Sequence, residues 1–148
     1  MDKLFNTTFE ISLRVMLVLN ASLEQLSIGK ITAFDFIANY GTDFAVSENN
    51  LHGNNRMRFS EYATRREIVG QAIKSLVLLG YVAPRYGKDG FSYSLTDEGT
   101  LFCQELNDEY ATKYSTVMNK VLSQYANNSE VELVNKINQR AITMLGGK

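Results

Sequence analysis

The chain has 148 residues, 45% of them apolar, enough for one compact core with an appended helical element. Fifteen basic and sixteen acidic side chains nearly cancel, which excludes the broad positive field of a nonspecific nucleic-acid binder; any such contact has to be local. A single cysteine, Cys103, excludes an internal disulfide and suits a reducing, cytoplasmic setting.

The start, Met1 to Asn6, lacks the apolar stretch of a signal peptide. Thr7 and Glu10 have capping-box spacing, and Ile11, Val15, Val18 and Leu19 then recur at helical intervals, predicting a first helix over 8–20. Its apolar run from Val15 to Leu19 is far below the ~20 residues of a membrane span, so no membrane segment is expected. Ser22 to Leu26 reads as a turn or short helix. A second helix after Gly29 carries Ile31, Phe34, Ile37 and Ala38 and stops at Gly41, with Phe34, Ile37 and Tyr40 toward the core.

Periodicity then breaks over residues 41–59, where the run from Asn49 to Asn55 is dense in turn formers. Loops longer than about 12–15 residues tend to carry function, so Asn50, Leu51, His52 and Gly53 form a candidate partner loop. Ser60 caps a helix whose stripe of Ile68, Val69, Ala72, Ile73, Leu76 and Val77 ends at Gly80. Two short strands, Tyr81 to Ala83 and Phe91 to Leu95, flank the turn Gly87-Lys88-Asp89-Gly90, with Pro84 at a strand edge.

Thr96 caps a following helix that is expected to run without interruption to Ala126. Tyr110, Tyr114, Val117, Val121 and Tyr125 lie along it three or four apart, either as core or as a helix interface that would make the chain a homodimer. Ser129 with Glu132 makes a second capping box ahead of a final helix. The fold class that follows is mainly α with a small β-hairpin wing. It is a winged helix-turn-helix, about 29–99, within a domain of residues 1–126 that has an N-terminal helix and long C-terminal helices. Residues 127–148 form the C-terminal helix.

Motifs of catalysis are sparse. His52 is the single histidine and has no cysteine near it, Cys103 has no histidine near it, and no Gly-rich phosphate loop or nucleophile elbow occurs. The chain reads as a non-enzyme without metal or cofactor.

Charge is the more informative pattern. Residues 1–55 carry three basic and six acidic groups, residues 56–90 seven and three, and residues 91–148 five and seven, so only the middle segment is positive. Its cations are Arg56, Arg58, Arg65, Arg66, Lys74, Arg85 and Lys88. At ~100° per residue Arg65 falls within the arc of the apolar stripe and is expected to make a structural ion pair. Arg66, Gly70 and Lys74 stand one turn apart along a neighbouring line, where a mid-helix glycine costs ~1 kcal/mol relative to alanine. That line, with Lys88 at the turn and Arg56, Arg58 and Arg85 nearby, would suit double-stranded DNA or a partner protein.

The segments Leu4 to Val15, Asp35-Phe36-Ile37 with Tyr40-Gly41, Asn50 to Gly53, Glu61 to Glu67 and Gly90 to Ser94 resemble the middle component 2 family of bacterial ABC-three-component systems, over about residues 3–115. The resemblance implies a small winged-helix adaptor that links an SMC-like ABC ATPase to an effector subunit in anti-phage or other conflict defence. It brings no catalytic or ligand motif. The alternative, read from the residues alone, is a dimeric winged-helix transcriptional regulator that binds DNA.

Overall fold

The computed structural model describes residues 8–40 and 62–145, with side chains to residue 140. Six helices and one two-stranded antiparallel sheet are found there: α1 (Thr8–Ala21), α2 (Ile28–Asn39), α3 (Tyr62–Leu78), β1 (Val82–Gly87), β2 (Gly90–Leu95), α4 (Asp97–Glu105), α5 (Glu109–Tyr125) and α6 (Glu130–Leu145). The architecture is mainly helical.

α2 lies at its centre. Ser27 caps it by accepting from the Lys30 amide, and every residue from Ile31 to Asn39 is buried, because α1, α3, α5 and α6 all pack around it. A helix sunk on all sides needs no polar face, which explains why Phe34, Phe36, Ile31 and Ile37 occupy different sides of it and are all fully buried. Each such side chain contributes about 1.5–3 kcal/mol through its removal from water. α6 closes the far side with Leu133 and Ile137, one turn apart and buried. Its N-terminus carries the expected capping box: the Ser129 amide donates to Glu132 Oε1 at 2.9 Å, and the Glu132 amide to Ser129 Oγ at 3.1 Å.

α3 ends in a Schellman turn. Tyr81 N–H bonds Leu76 O, Gly80 N–H bonds Val77 O, and Gly80 takes a φ of 86°, which favours glycine. The chain then enters the hairpin, with Tyr86 opposite Phe91 and Pro84 opposite Tyr93. On its other side Tyr93 exchanges both backbone hydrogen bonds with Leu26. Pro84 therefore faces Tyr93 at a position where β1 and β2 exchange no bond, and its missing N–H would have pointed to the open edge.

One expectation is narrowed and one corrected. Of the turn or short helix expected over Ser22 to Leu26 no helix forms: the chain bends, with Ser22 Oγ accepting from the Glu24 amide at 3.1 Å, and then bridges β2 through Leu26. The uninterrupted helix over 96–126 is two helices, α4 and α5, broken at Leu106 to Asp108. Leu106 leaves helical geometry with ψ 90°, and Asp108 restarts the chain as an N-cap that accepts from the Ala111 amide at 2.9 Å. The first helix, α3, the hairpin and the last helix lie where the spacing places them. Thr7 and Ser60, expected as caps, fall outside the described residues.

Gly99 fixes the start of α4 against the hairpin. A Cβ there would collide with the Tyr81 backbone carbonyl oxygen, which has no room to move because it accepts from the Thr96 amide at 3.0 Å. Gly99→Ala is expected to cost about 1–3 kcal/mol, read as a lower urea midpoint; a midpoint equal to the parent's would refute this account of the junction.

Candidate functional site

The core contains a charged node. The Asp35 carboxylate, on α2, accepts from Arg14 of α1 through Nε at 2.9 Å and Nη2 at 3.4 Å, and from the Tyr114 hydroxyl of α5 at 2.5 Å. Arg65 of α3 stands 3.6 Å away through Nη1, its guanidinium 5.7 Å from the Phe36 ring centroid. All four side chains are buried. Burial alone would raise the Asp35 pKa, but the two arginines and the hydrogen bonds from Arg14 and Tyr114 outweigh it and hold the carboxyl below its ordinary value. For Arg14, desolvation is likewise outweighed by Asp35, so its charge is locked on. Burial first, then the Asp35 charge, keeps the Tyr114 hydroxyl protonated. Nothing in the node meets solvent, so its work is to hold α1, α2, α3 and α5 together.

The opposite side of α3 is open. Gly70, Ile73, Lys74, Val77 and Leu78 form one stripe, and with Ile28, Pro84, Phe91 and Tyr93 they line a groove of about 280 Å³ between the helix and the hairpin. Strand alternation puts Pro84, Tyr86, Phe91 and Tyr93 on the same hairpin face. Their rings form a ladder, Tyr86 to Phe91 at 5.0 Å edge-on and Phe91 to Tyr93 at 6.5 Å stacked. Leu78 is 83% exposed and Phe91 55%, so the groove leaves two large apolar groups in water, and Tyr86, 74% exposed, extends the same hairpin face beside it.

The expected basic residues divide. Arg65 points inward and makes its ion pair, as its arc predicts. Arg66 is tied up: Nη2 lies 3.2 Å from Glu130 Oε2, while the Glu130 Oε1 accepts from Ser27 Oγ at 3.2 Å. A Cβ at Gly29 would collide with that carboxylate, so glycine leaves it room at the start of α2. Half-exposed pairs of this kind contribute about 0.2–1 kcal/mol. Lys74 is exposed on the groove wall, Lys88 is exposed in the turn, and Arg85 falls on the other hairpin face with Ser92. Gly70 faces the groove, where an added Cβ would meet Ile28 Cδ1 at 3.8 Å, an ordinary contact. Crowding among the described residues therefore does not require this glycine.

Arg56, Arg58, Asn50, Leu51, His52 and Gly53 lie outside the described residues. Of the residues named for a helix interface, Tyr114, Val117 and Val121 are buried in the chain's own core, while Tyr110 and Tyr125 are half-buried. The core reading holds for the first three. Cys103 is also core: its thiol donates to Met16 O at 3.5 Å, and burial pushes it up to about 11. Sequence reasoning passed over Arg14 and Asp35 as a pair. The signal was there, since each is a lone charge inside an apolar run, Ile11 to Leu19 and Ala33 to Ala38, and buried charges demand partners.

A family model, the ABC-three component (ABC-3C) system Middle Component 2, matches residues 4–146. The chain belongs to this family. No curated protein and no solved structure matches it. The match runs beyond the ~115 at which the resemblance stops, so the described helices and hairpin of the middle component all fall inside it. The protein is thus one component of a multi-component system. Among its described residues no helix is long and apolar enough to cross a membrane.

The node sets an acid limit on stability. The folded Asp35 pKa is depressed below its ordinary 3.8, so its contribution is complete above that value and is lost as pH falls below it toward the folded pKa. Asp35→Asn leaves two arginines facing an amide and is expected to cost about 3–5 kcal/mol at neutral pH. Its urea stability should also fall less than the parent's between pH 5 and pH 3. An equally steep acid limb in the variant would remove Asp35 as the source.

Proposed function

We infer that this middle component is a non-enzymatic adaptor that joins an SMC-like ABC ATPase to an effector subunit, in the cytoplasm, in a bacterial system of anti-phage or related conflict defence. Family membership supports the role of one part among several. Support for a winged-helix fold comes from the order of elements: a helix, a bridging strand residue at Leu26, two helices, and a hairpin whose second strand pairs with Leu26. Support for a non-catalytic role comes from Asp35 and Cys103, two groups capable of chemistry that are sealed in the core.

The observation that carries the adaptor reading is the groove. In a winged helix that reads DNA, α3 and the hairpin face the duplex and present donors to phosphates and base edges. Here the described residues of the groove present Leu78, Phe91, Tyr93 and Val77 around Lys74, while Arg66 on the same helix already has a carboxylate and Lys88 stands away in the turn. Depleted charge with aromatic enrichment is the composition of a protein interface core.

Purification of the tagged chain from its native host after nuclease treatment should retain a large ATPase; recovery of the chain alone would overturn the adaptor. A dimeric regulator predicts instead that Arg66→Glu with Lys74→Glu abolishes tight, salt-sensitive binding to a palindromic DNA site, on which the adaptor does not depend.

A further inference from the structure

We propose that the groove between α3 and the hairpin receives an amphipathic, acidic helix from another component of the system. This rests on the adaptor reading and adds the chemistry of what docks. The walls are set: Gly70 to Leu78 on α3 form one side, Pro84, Phe91 and Tyr93 the other, and Ile28 the floor. The stripe spans eight residues of helix rise, about 12 Å. That length accepts side chains at i, i+4 and i+7 of a partner helix, the usual spacing of helix-in-groove recognition.

Three further observations narrow the occupant. Among the described residues that line the groove Lys74 is the charged one, and Lys88 stands exposed in the hairpin turn. The complement is a carboxylate beside the partner's apolar stripe. Second, β1 pairs only with β2 among the described residues, yet Pro84 removes a donor from its free edge, which opposes addition of an extended strand and favours a helix. Third, Gly70 in mid-helix weakens α3, and no contact among the described residues offsets this, because a Cβ would meet only Ile28 Cδ1 there, at 3.8 Å. Its lack of a side chain deepens the groove at the level of Lys74.

Overlapping peptides spanning the other components, titrated against the full chain by fluorescence anisotropy, test this. The peptides that bind should carry large aliphatic residues at i, i+4 and i+7 with an Asp or Glu alongside. Phe91→Asp and Gly70→Leu should each weaken binding at least about tenfold. Gly70→Leu adds its side chain on the groove side and removes a helix-weakening glycine, so it serves as the folded control with a thermal midpoint at or above the parent's. Lys74→Glu should weaken binding about threefold, and a Glu→Lys change in the peptide should recover the loss.

Peptides that bind without the apolar spacing, or that bind the groove variants as well as the parent, overturn the proposal. So does a parent that sediments as a dimer while Phe91→Asp is a monomer, since the occupant is then a second copy. A DNA duplex whose binding is lost in Gly70→Leu overturns it as well. If the nuclease-treated purification yields no other component, the adaptor reading fails; if the components co-purify equally with parent and Phe91→Asp, only the groove assignment fails.

Discussion

The Asp35 carboxylate is reached from three other helices, by Arg14 of α1, Arg65 of α3 and Tyr114 of α5, and it is sealed from water. Apolar packing alone is tolerant: helices can slide or rotate by a fraction of a turn and still bury similar area. A buried charge is not tolerant, because an ion left without its partners loses several kcal/mol of compensation for its desolvation. Each helix is therefore held at the rotation that brings one particular side chain to the same point. The position of α3, and with it the groove on its outer side, is fixed from within.

Neighbouring residues of α3 illustrate the division. Arg65 turns into the node and over the Phe36 ring, whereas Arg66, one residue on, faces outward and meets Glu130 at the start of α6. The first anchors α3 to the core and the second links it to α6. Between them they engage two of the cations that make the middle of the sequence positive. Of the other described ones, Lys74 is on the groove wall, Lys88 is in the turn and Arg85 is on the opposite hairpin face, so the groove itself is a largely apolar surface although the segment as a whole is positive.

Local signals were legible. Gly80 and the apolar stripe before it mark the end of α3, Gly87 to Gly90 marks the hairpin, and Ser129 with Glu132 marks α6, because each is a device of three or four residues acting on adjacent backbone. The break between α4 and α5 was missed although Asn107 and Asp108 are cap formers, since the apolar spacing continues across it. A single bridging residue such as Leu26 has no period to read. The node was hidden for another reason: Arg14, Arg65 and Tyr114 are 21, 30 and 79 residues from Asp35, and only the fold brings them together. The groove was hidden in the same way. Phe91 and Leu78 each look like ordinary hairpin and helix residues until the helix and the hairpin are placed face to face.

The complete enclosure of α2 has a consequence for how the chain is made. One side of this helix is covered by α6, whose Glu130 reaches Ser27 across 103 residues of sequence. At synthesis rates of about 5–20 residues per second, roughly 5–20 s separate the emergence of the two. For that time a helix with no polar side is short of part of its cover on the ribosome. The nascent chain is then at its most adhesive, and a helper that shields apolar helices would act there, before the last two turns of contact around Leu133 and Ile137 shut the core.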